Sequence, residues 1–130
     1  MLYPAAISTC RLQIDSPVHS MRISVVIPSY NRAHTLQRAL SSVLQQSSAA
    51  DEIIVVDDGS TDDSAELLRN HFPDIKLIQQ PNQGVSAARN TGISAARHEW
   101  IALLDSDDEW LPQKLQYIRN AQAQHPQQLL

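Results

Sequence analysis

An α/β fold, with a parallel sheet of about four strands alternating with helices, is what this 130-residue sequence predicts. Three observations predict it. Short apolar runs rich in β-branched residues alternate four times with stretches whose apolar residues recur at helical spacing. The clearest of those runs are apolar on both faces, as strands are when helices cover both sides of a sheet. Polar and acidic residues gather directly after the strands, at the rim where sheets of this kind, joined by right-handed crossovers, bind their ligands.

The totals narrow the class. A chain of this length makes one domain at most and buries roughly two thirds of its unfolded surface. Hydrophobic residues make up 42% and charged residues 18%, a globular rather than a disordered balance. No apolar run reaches the roughly 18 residues of a transmembrane helix. The net charge of −4 argues against nucleic acid as a partner, since its binders carry a basic patch. Cys10 is the one cysteine; it allows no intrachain disulfide and suits a reducing compartment. Residues 1–20 lack the basic start and long apolar centre of a signal peptide. They show no period and are expected to form a loose extension ahead of a domain spanning residues 21–130.

Taken in order, Arg22-Ile23-Ser24-Val25-Val26-Ile27-Pro28 is a β-branched first strand ended by proline, and Ser29-Tyr30-Asn31-Arg32 is the loop at its carboxyl end. Leu36, Ala39, Leu40, Val43 and Leu44 then mark a helix from about Ala33 to Gln46 with one apolar stripe. Glu52 to Asp57 is the second strand. Ser60 or Thr61 is placed to cap the next helix, whose positive end Asp62, Asp63 and Glu66 complement. That helix carries Ala65, Leu67 and Leu68 and stops near Asn70, before Pro73. Ile75 to Gln79 is a third strand, more weakly apolar and nearer an edge. After the turn Pro81-Asn82-Gln83-Gly84, a small-residue helix runs from Val85 to Ala96, with Val85, Ala88, Ile93 and Ala96 expected inward. Gly92 inside it weakens a helix by about 1 kcal/mol against alanine, so close packing is its expected reason. Trp100 to Leu104 is the fourth strand. Leu111-Pro112 opens the last helix, with Pro112 in its first turn and Leu115, Ile118 and Ala121 or Gln122 inward, and His125-Pro126 ends it.

Of the 14 acidic residues, eight lie in two short stretches: Asp57, Asp58, Asp62 and Asp63, then Asp105, Asp107, Asp108 and Glu109. Carboxylates crowded as closely as the second group repel one another unless a cation sits among them. Hard oxygen ligands suit Mg²⁺ or Mn²⁺, which complete their shells with phosphate oxygens. Taken alone, the turn reads equally well as a solvated acidic cap on the following helix. Its position decides more: Tyr30, Asp57-Asp58 and Asp105-Asp107-Asp108 all fall at strand carboxyl ends, which places them on one rim. An acidic pocket there holds a phosphate ester only with a divalent cation, which bridges carboxylate and diphosphate. Asp57 or Asp58 would accept a hydrogen bond from a base N–H or a ribose hydroxyl, Tyr30 would lay its ring against a base, and Arg89 would reach a phosphate oxygen or pair with an acid. Asp62 and Asp63 read as helix-start charges. His34, His71, His98 and His125 show no metal-ligand spacing, and Trp100 and Trp110 read as packing residues.

Four segments of this sequence resemble family-2 glycosyltransferases, in that family's order and spacing. They are Ser24-Val25-Val26-Ile27-Pro28-Ser29-Tyr30-Asn31-Arg32, Ile54-Val55-Val56-Asp57-Asp58-Gly59-Ser60-Thr61-Asp62, Asn82-Gln83-Gly84-Val85-Ser86-Ala87-Ala88-Arg89-Asn90-Thr91-Gly92, and Leu103-Leu104-Asp105-Ser106-Asp107-Asp108-Glu109-Trp110. The resemblance covers about Arg22 to His125. It implies a Rossmann-like nucleotide-diphospho-sugar transferase fold of the A type, a nucleotide-sugar donor that is commonly a UDP-sugar, Mn²⁺ or Mg²⁺ as cofactor, and a glycan or lipid acceptor. Carried over by position, Pro28 and Tyr30 lie along the base, Asp58 contacts the base edge with Asp57 supporting the turn, and Arg89 lies near the diphosphate. Asp105, Asp107 and Asp108 match the metal and ribose motif, with Asp107 or Asp108 as the direct ligand.

In that family the acceptor site and the catalytic base lie downstream of the metal motif, where this sequence soon ends. The sequence therefore reads as the donor half of a truncated transferase with no assignable base, and slight turnover is expected from it alone. An unpaired sheet edge would favour self-association. The expected location is cytoplasmic, including the inner face of the membrane. Two other classes share parts of this pattern. A phospho-accepting receiver domain would need an acidic pair after the first strand, where Pro28-Ser29-Tyr30 stands. A non-catalytic nucleotide- and metal-binding module that needs a partner shares every binding feature with the transferase and differs only in releasing no sugar.

Overall fold

Four strands and four helices alternate along residues 21–124, the part of the chain that the computed structural model describes. In chain order they are β1 (Ile23–Ser29), α1 (Ala33–Leu44), β2 (Glu52–Asp57), α2 (Ser64–His71), β3 (Lys76–Gln79), α3 (Val85–Ala95), β4 (Trp100–Leu103) and α4 (Lys114–Gln124). The expectations for residues 1–20 and for the helix end at His125-Pro126 lie outside the described residues.

Every strand pairing is parallel, and the order across the sheet is β3-β2-β1-β4. The first described strand thus lies in the interior of the sheet, and the later strands add outward in both directions. β1, the most β-branched run, lies between β2 and β4 and is buried along its whole length. β3 and β4 form the edges of the described sheet; each has four residues, and none of them is fully buried.

Strand alternation sends successive side chains to two separate cores. Ile23, Val25, Ile27 and Val55 pack with Leu36, Ala39, Leu40 and Val43 of α1, Leu68 of α2 and Leu115 of α4. Val26, Ile54 and Val56 face the other way and meet Ala88 of α3. The first core is the larger. Each of its fully buried Leu, Ile and Val side chains contributes about 1.5–3 kcal/mol by leaving water.

The second core is thin because α3 lies very close to the sheet. A Cβ built on Gly92 would overlap Val26 Cγ1 and come within 3.2 Å of Val56 Cγ2. That bears out the close packing expected at this glycine. It also corrects the inward face expected for α3. Ala88 and Gly92 are buried, with Ala95 and Ala96 packed beside them, whereas Val85 and Ile93 are 51% and 41% exposed. So narrow a gap takes only the smallest side chains, and Val85 instead overhangs the end of the sheet.

Two helix starts also differ from expectation. Ser60 and Thr61 do not cap α2; Asp62 does, its Oδ1 accepting from Ser64 N at 3.0 Å and from Ser64 Oγ. Pro112 lies ahead of α4 rather than in its first turn. The cap of α4 comes from α1's end of the chain: Gln46 is buried, its Oε1 accepts from Leu115 N at 2.9 Å, and its Nε2 donates to Leu111 O at 2.7 Å.

Candidate functional site

A cavity of about 380 Å³ opens at the carboxyl rim of the sheet. The end of β1 supplies Pro28, Ser29, Tyr30 and Arg32, and the end of β2 supplies Asp58. Asn82, Gly84, Val85, Ala88 and Arg89 form the wall at the start of α3. Asp105, Ser106 and Asp107 close it after β4. That volume is within the range of pockets that hold a small organic ligand. Asp58 and Asp107 stand on the same rim and line the same space.

Asp58 is the most tightly held of these groups. It is 3% exposed. Its Oδ1 accepts from Gln80 Nε2 at 2.8 Å and from Gln83 N at 2.9 Å, and its Oδ2 accepts from Gly84 N at 2.9 Å. Burial pushes this carboxyl's pKa up, but hydrogen bonds from Gln80, Gln83 and Gly84 outweigh burial and hold it below its ordinary value. The carboxylate therefore anchors the loop ahead of α3. Among the described residues Oδ2 accepts one hydrogen bond and retains capacity for a second. The loop crosses close by: a Cβ on Gly59, whose φ is +82°, would stand 2.7 Å from Asn82 N. Thr91 Oγ1 donates to Gln80 Oε1 at 2.6 Å, which extends the same network into α3.

Asp57 is placed differently. It pairs in register with Ser29, whose strand position faces the α1 and α2 side of the sheet. The residue is 3% exposed, it is not part of the cavity wall, and its Oδ1 has no hydrogen-bond partner among the described residues. Ser29 Oγ beside it has none either. Of the residues singled out in the sequence as donor-binding, Asp57 is the one the fold does not bring to the cavity.

The acidic turn after β4 brings Asp105, Asp107 and Asp108 together, with one oxygen of each within 4.8 Å of the others. Arg89 Nη2 donates to Asp105 Oδ1 at 2.9 Å, so one of the three charges is paired. Asp107 and Asp108 are exposed, and their carboxylates accept no hydrogen bond among the described residues. Three converging carboxylate oxygens, two of them uncommitted, fit a hard divalent cation. The Arg89–Asp105 pair also separates two spaces. Beyond it lies a second cleft of about 330 Å³, walled by Leu103, Leu104, Asp108, Glu109 and Trp110. Asp107 thus lines the first space, Asp108 the second, and Asp105 both.

The sequence reading missed Arg32, Asn82 and Ser106 as wall residues. It also missed the polar clip between the first two loops. Asn31 N donates to Ser60 Oγ at 2.8 Å, and Asn31 Oδ1 accepts from Thr61 N at 2.7 Å and Asp62 N at 3.2 Å. Asp62 Oδ2 in turn accepts from Ala33 N at 3.1 Å and caps α1 from the neighbouring loop. Burial raises the Asp62 pKa, but its hydrogen bonds to Ser64 and Ala33 hold it below the ordinary value. Asn31, Ser60, Thr61 and Asp62 lie inside the segments that carry the family resemblance, but loops have no period from which side-chain direction can be read.

With this geometry established, comparison with known proteins is informative. The model of the family "Glycosyl transferase family 2" matches residues 24–129. An uncharacterized glycosyltransferase of Nostoc sp. is 51% identical over 102 residues, which are 75% of this chain and 32% of that protein. The Escherichia coli enzyme WfgD, a UDP-Glc:alpha-D-GlcNAc-diphosphoundecaprenol beta-1,3-glucosyltransferase, is 41% identical over 96 residues, covering 72% of this chain and 38% of the enzyme. Among solved structures, S. aureus TarS 1-349 in complex with UDP superposes with a TM-score of 0.75 at 27% identity, over 82% of this chain and 33% of that one. The chain therefore spans about a third of the length of these relatives. The sheet order, the rim cavity and a family match that runs from β1 past the acidic turn agree with one another, and the chain belongs to glycosyl transferase family 2 with the nucleotide-diphospho-sugar transferase fold.

Proposed function

We propose that this chain binds the donor of a sugar-transfer reaction, a nucleotide-diphosphate sugar and most simply a UDP-sugar, for transfer to an acceptor hydroxyl. The observation that carries the reading is the shared rim: an aromatic ring, a clamped carboxylate, Asp105 and Asp107 line one cavity, and Asp108 converges with that pair of aspartates from the adjoining cleft. Tyr30 and Pro28 offer a flat, partly apolar wall to a base. Asp58 Oδ2 offers its remaining acceptor capacity to a base N–H. Asp107 and Asp108, with Asp105, would hold Mn²⁺ or Mg²⁺. Bound there, such an ion would supply positive charge to offset that of a departing diphosphate. Arg89 stays against Asp105 and keeps that carboxylate oriented at the partition. The second cleft, reached across this partition, is the space we assign to the sugar. Support comes from the WfgD and TarS relatives, whose names and complexes specify UDP-linked ligands.

Thermal unfolding with UDP and Mn²⁺ tests this. A ligand that binds only the folded chain adds about 2.7 kcal/mol at a concentration 100 times its Kd. The melting temperature should rise with UDP and Mn²⁺ together, and Asp107→Asn or Asp108→Asn should remove most of the rise. A rise that survives in both variants would remove the metal assignment.

A further inference from the structure

We infer that Asn31 is a positioning residue for the nucleoside: its side chain fastens the loop after β1 to the loop after β2 and so sets the gap between the Tyr30 ring and the Asp58 carboxylate. The inference rests on the nucleotide reading above and adds to it the element that fixes the base slot. Two of the slot's walls, Tyr30 and Asp58, stand on different loops. The N-cap residues themselves do not fix these loops, since Arg32 makes no side-chain cap on α1 and Asp63 none on α2; Asp62 meets both helix starts instead.

What joins them, beside the contact of Asp62 Oδ2 with Ala33 N, is Asn31. Its φ of +52° is the only positive value at a non-glycine among the described residues. That left-handed turn sets the direction of the chain immediately after Tyr30, and asparagine is among the few residues that adopt it at low cost. The turn is then tied across to the second loop by both ends of the residue. The backbone N–H reaches Ser60 Oγ, and the side-chain carbonyl collects Thr61 N, Thr61 Oγ1 and Asp62 N. Between the same loops, Asp58 N donates to Ser29 O at 2.8 Å, so the β2 loop is pinned on one side of Tyr30 by the sheet and on the other by Asn31. The Tyr30 hydroxyl makes no hydrogen bond among the described residues, and the ring is 45% exposed. Its position is therefore set by the backbone turn. The acidic turn after β4 takes no part in this clip, so loosening it should affect the nucleoside end of the ligand and spare the diphosphate end.

The test is calorimetric binding to the full chain with Mn²⁺ present, using two probes, UDP and inorganic pyrophosphate. Asn31→Gly keeps the positive φ and deletes the acceptor; Ser60→Ala removes the other half of the clip; Asn31→Asp keeps both the φ tolerance and an acceptor oxygen. UDP affinity should fall about tenfold in Asn31→Gly and fall in Ser60→Ala, recover most of the loss in Asn31→Asp, and pyrophosphate affinity should not change in any of them. UDP affinity unchanged in Asn31→Gly would overturn the inference, and so would an equal fall for UDP and pyrophosphate, which marks general loosening of the fold. A wild-type chain that binds pyrophosphate but gains nothing from the nucleoside would instead overturn the nucleotide reading itself.

Discussion

Asp57 and Asp58 are adjacent in sequence, equally buried, and opposite in circumstance. Asp58 takes three N–H donors, and Asp57 Oδ1 takes none. In Asp58→Asn an amide NH₂ would face donors that now meet an anion, leaving at least one buried N–H unsatisfied at a cost of about 1–3 kcal/mol. Asp57→Asn removes a buried charge whose Oδ1 is unpaired, and it should leave stability unchanged or raise it. Urea midpoints at neutral pH compare the two; an equal loss in both would show that Asp57 is held by something other than the contacts seen. The same groups set the acid limb. Asp58, Asp62 and Glu52 all have folded pKa values below their ordinary 3.8, 3.8 and 4.5. The unfolded chain therefore binds protons first as the pH drops. Stability should be full above those ordinary values, fall as the pH goes below them through the lower folded values, and fall less steeply in Asp58→Asn. Asp57-Asp58 and Asp105-Asp107-Asp108 were legible as site candidates because they follow apolar runs and so must lie at strand ends. That only one of the first pair reaches the cavity was not legible, because the strand's last residue alone decides which face each side chain takes.

At the scale of elements, α3 shows propensity and packing in opposition. Gly92→Ala would gain about 1 kcal/mol of helix propensity. The new methyl would strike Val26 Cγ1, in the middle of the most buried strand, and overpacking a core of this kind costs about 1–3 kcal/mol. The melting temperature of Gly92→Ala should therefore fall, and Val26→Ala added to it should restore part of the loss that the two changes would otherwise sum to. A rise in Gly92→Ala would show that α3 moves outward freely. All eight elements were legible, because β1 and β2 are β-branched runs, β3 and β4 short apolar ones, and the stretches between them repeat apolar or small residues at helical spacing, and the observed ends lie close to those expected. What was not legible came from contacts between distant segments. Gln46, expected only as the last residue of a helix, caps α4 across 69 positions. Asp62, read as a helix-start charge, also caps α1. Val85 and Ile93 looked like the inward residues of α3 because they are its largest apolar side chains, yet the gap they would enter admits only Ala and Gly.

Across the whole molecule the acids divide between the two ends of the sheet. At the amino end they are neutralised: Arg119 Nη2 meets Asp51 Oδ2 at 2.8 Å, and Arg97 Nε meets Glu52 Oε2 at 3.2 Å. At the carboxyl end Asp105 and Glu109 are paired with Arg89 and Arg38, while Asp107 and Asp108 remain free of protein partners among the described residues. The first arrangement holds the fold and the second leaves charge available for a ligand. Arg119 is the centre of the amino end. It is 7% exposed, and its guanidinium donates to Met21 O, Ser48 Oγ, Ala49 O and Asp51 Oδ2, while Asp51 Oδ2 also accepts from Ile23 N at 2.8 Å. One side chain thus joins α4 to the start of β1 and to the turn before β2. Arg119→Met should cost about 3 kcal/mol, the low end for breaking a buried pair, because Asp51 keeps some contact with water. Arg119→Lys keeps the charge but lacks the planar fork that reaches four acceptors at once, so it should recover only part of that loss. Because this network lies at the end of the sheet away from the cavity, both variants should bind UDP with Mn²⁺ at the wild-type affinity under conditions where they remain folded. A fall in that affinity in parallel with stability would mean that the two ends are coupled through the sheet.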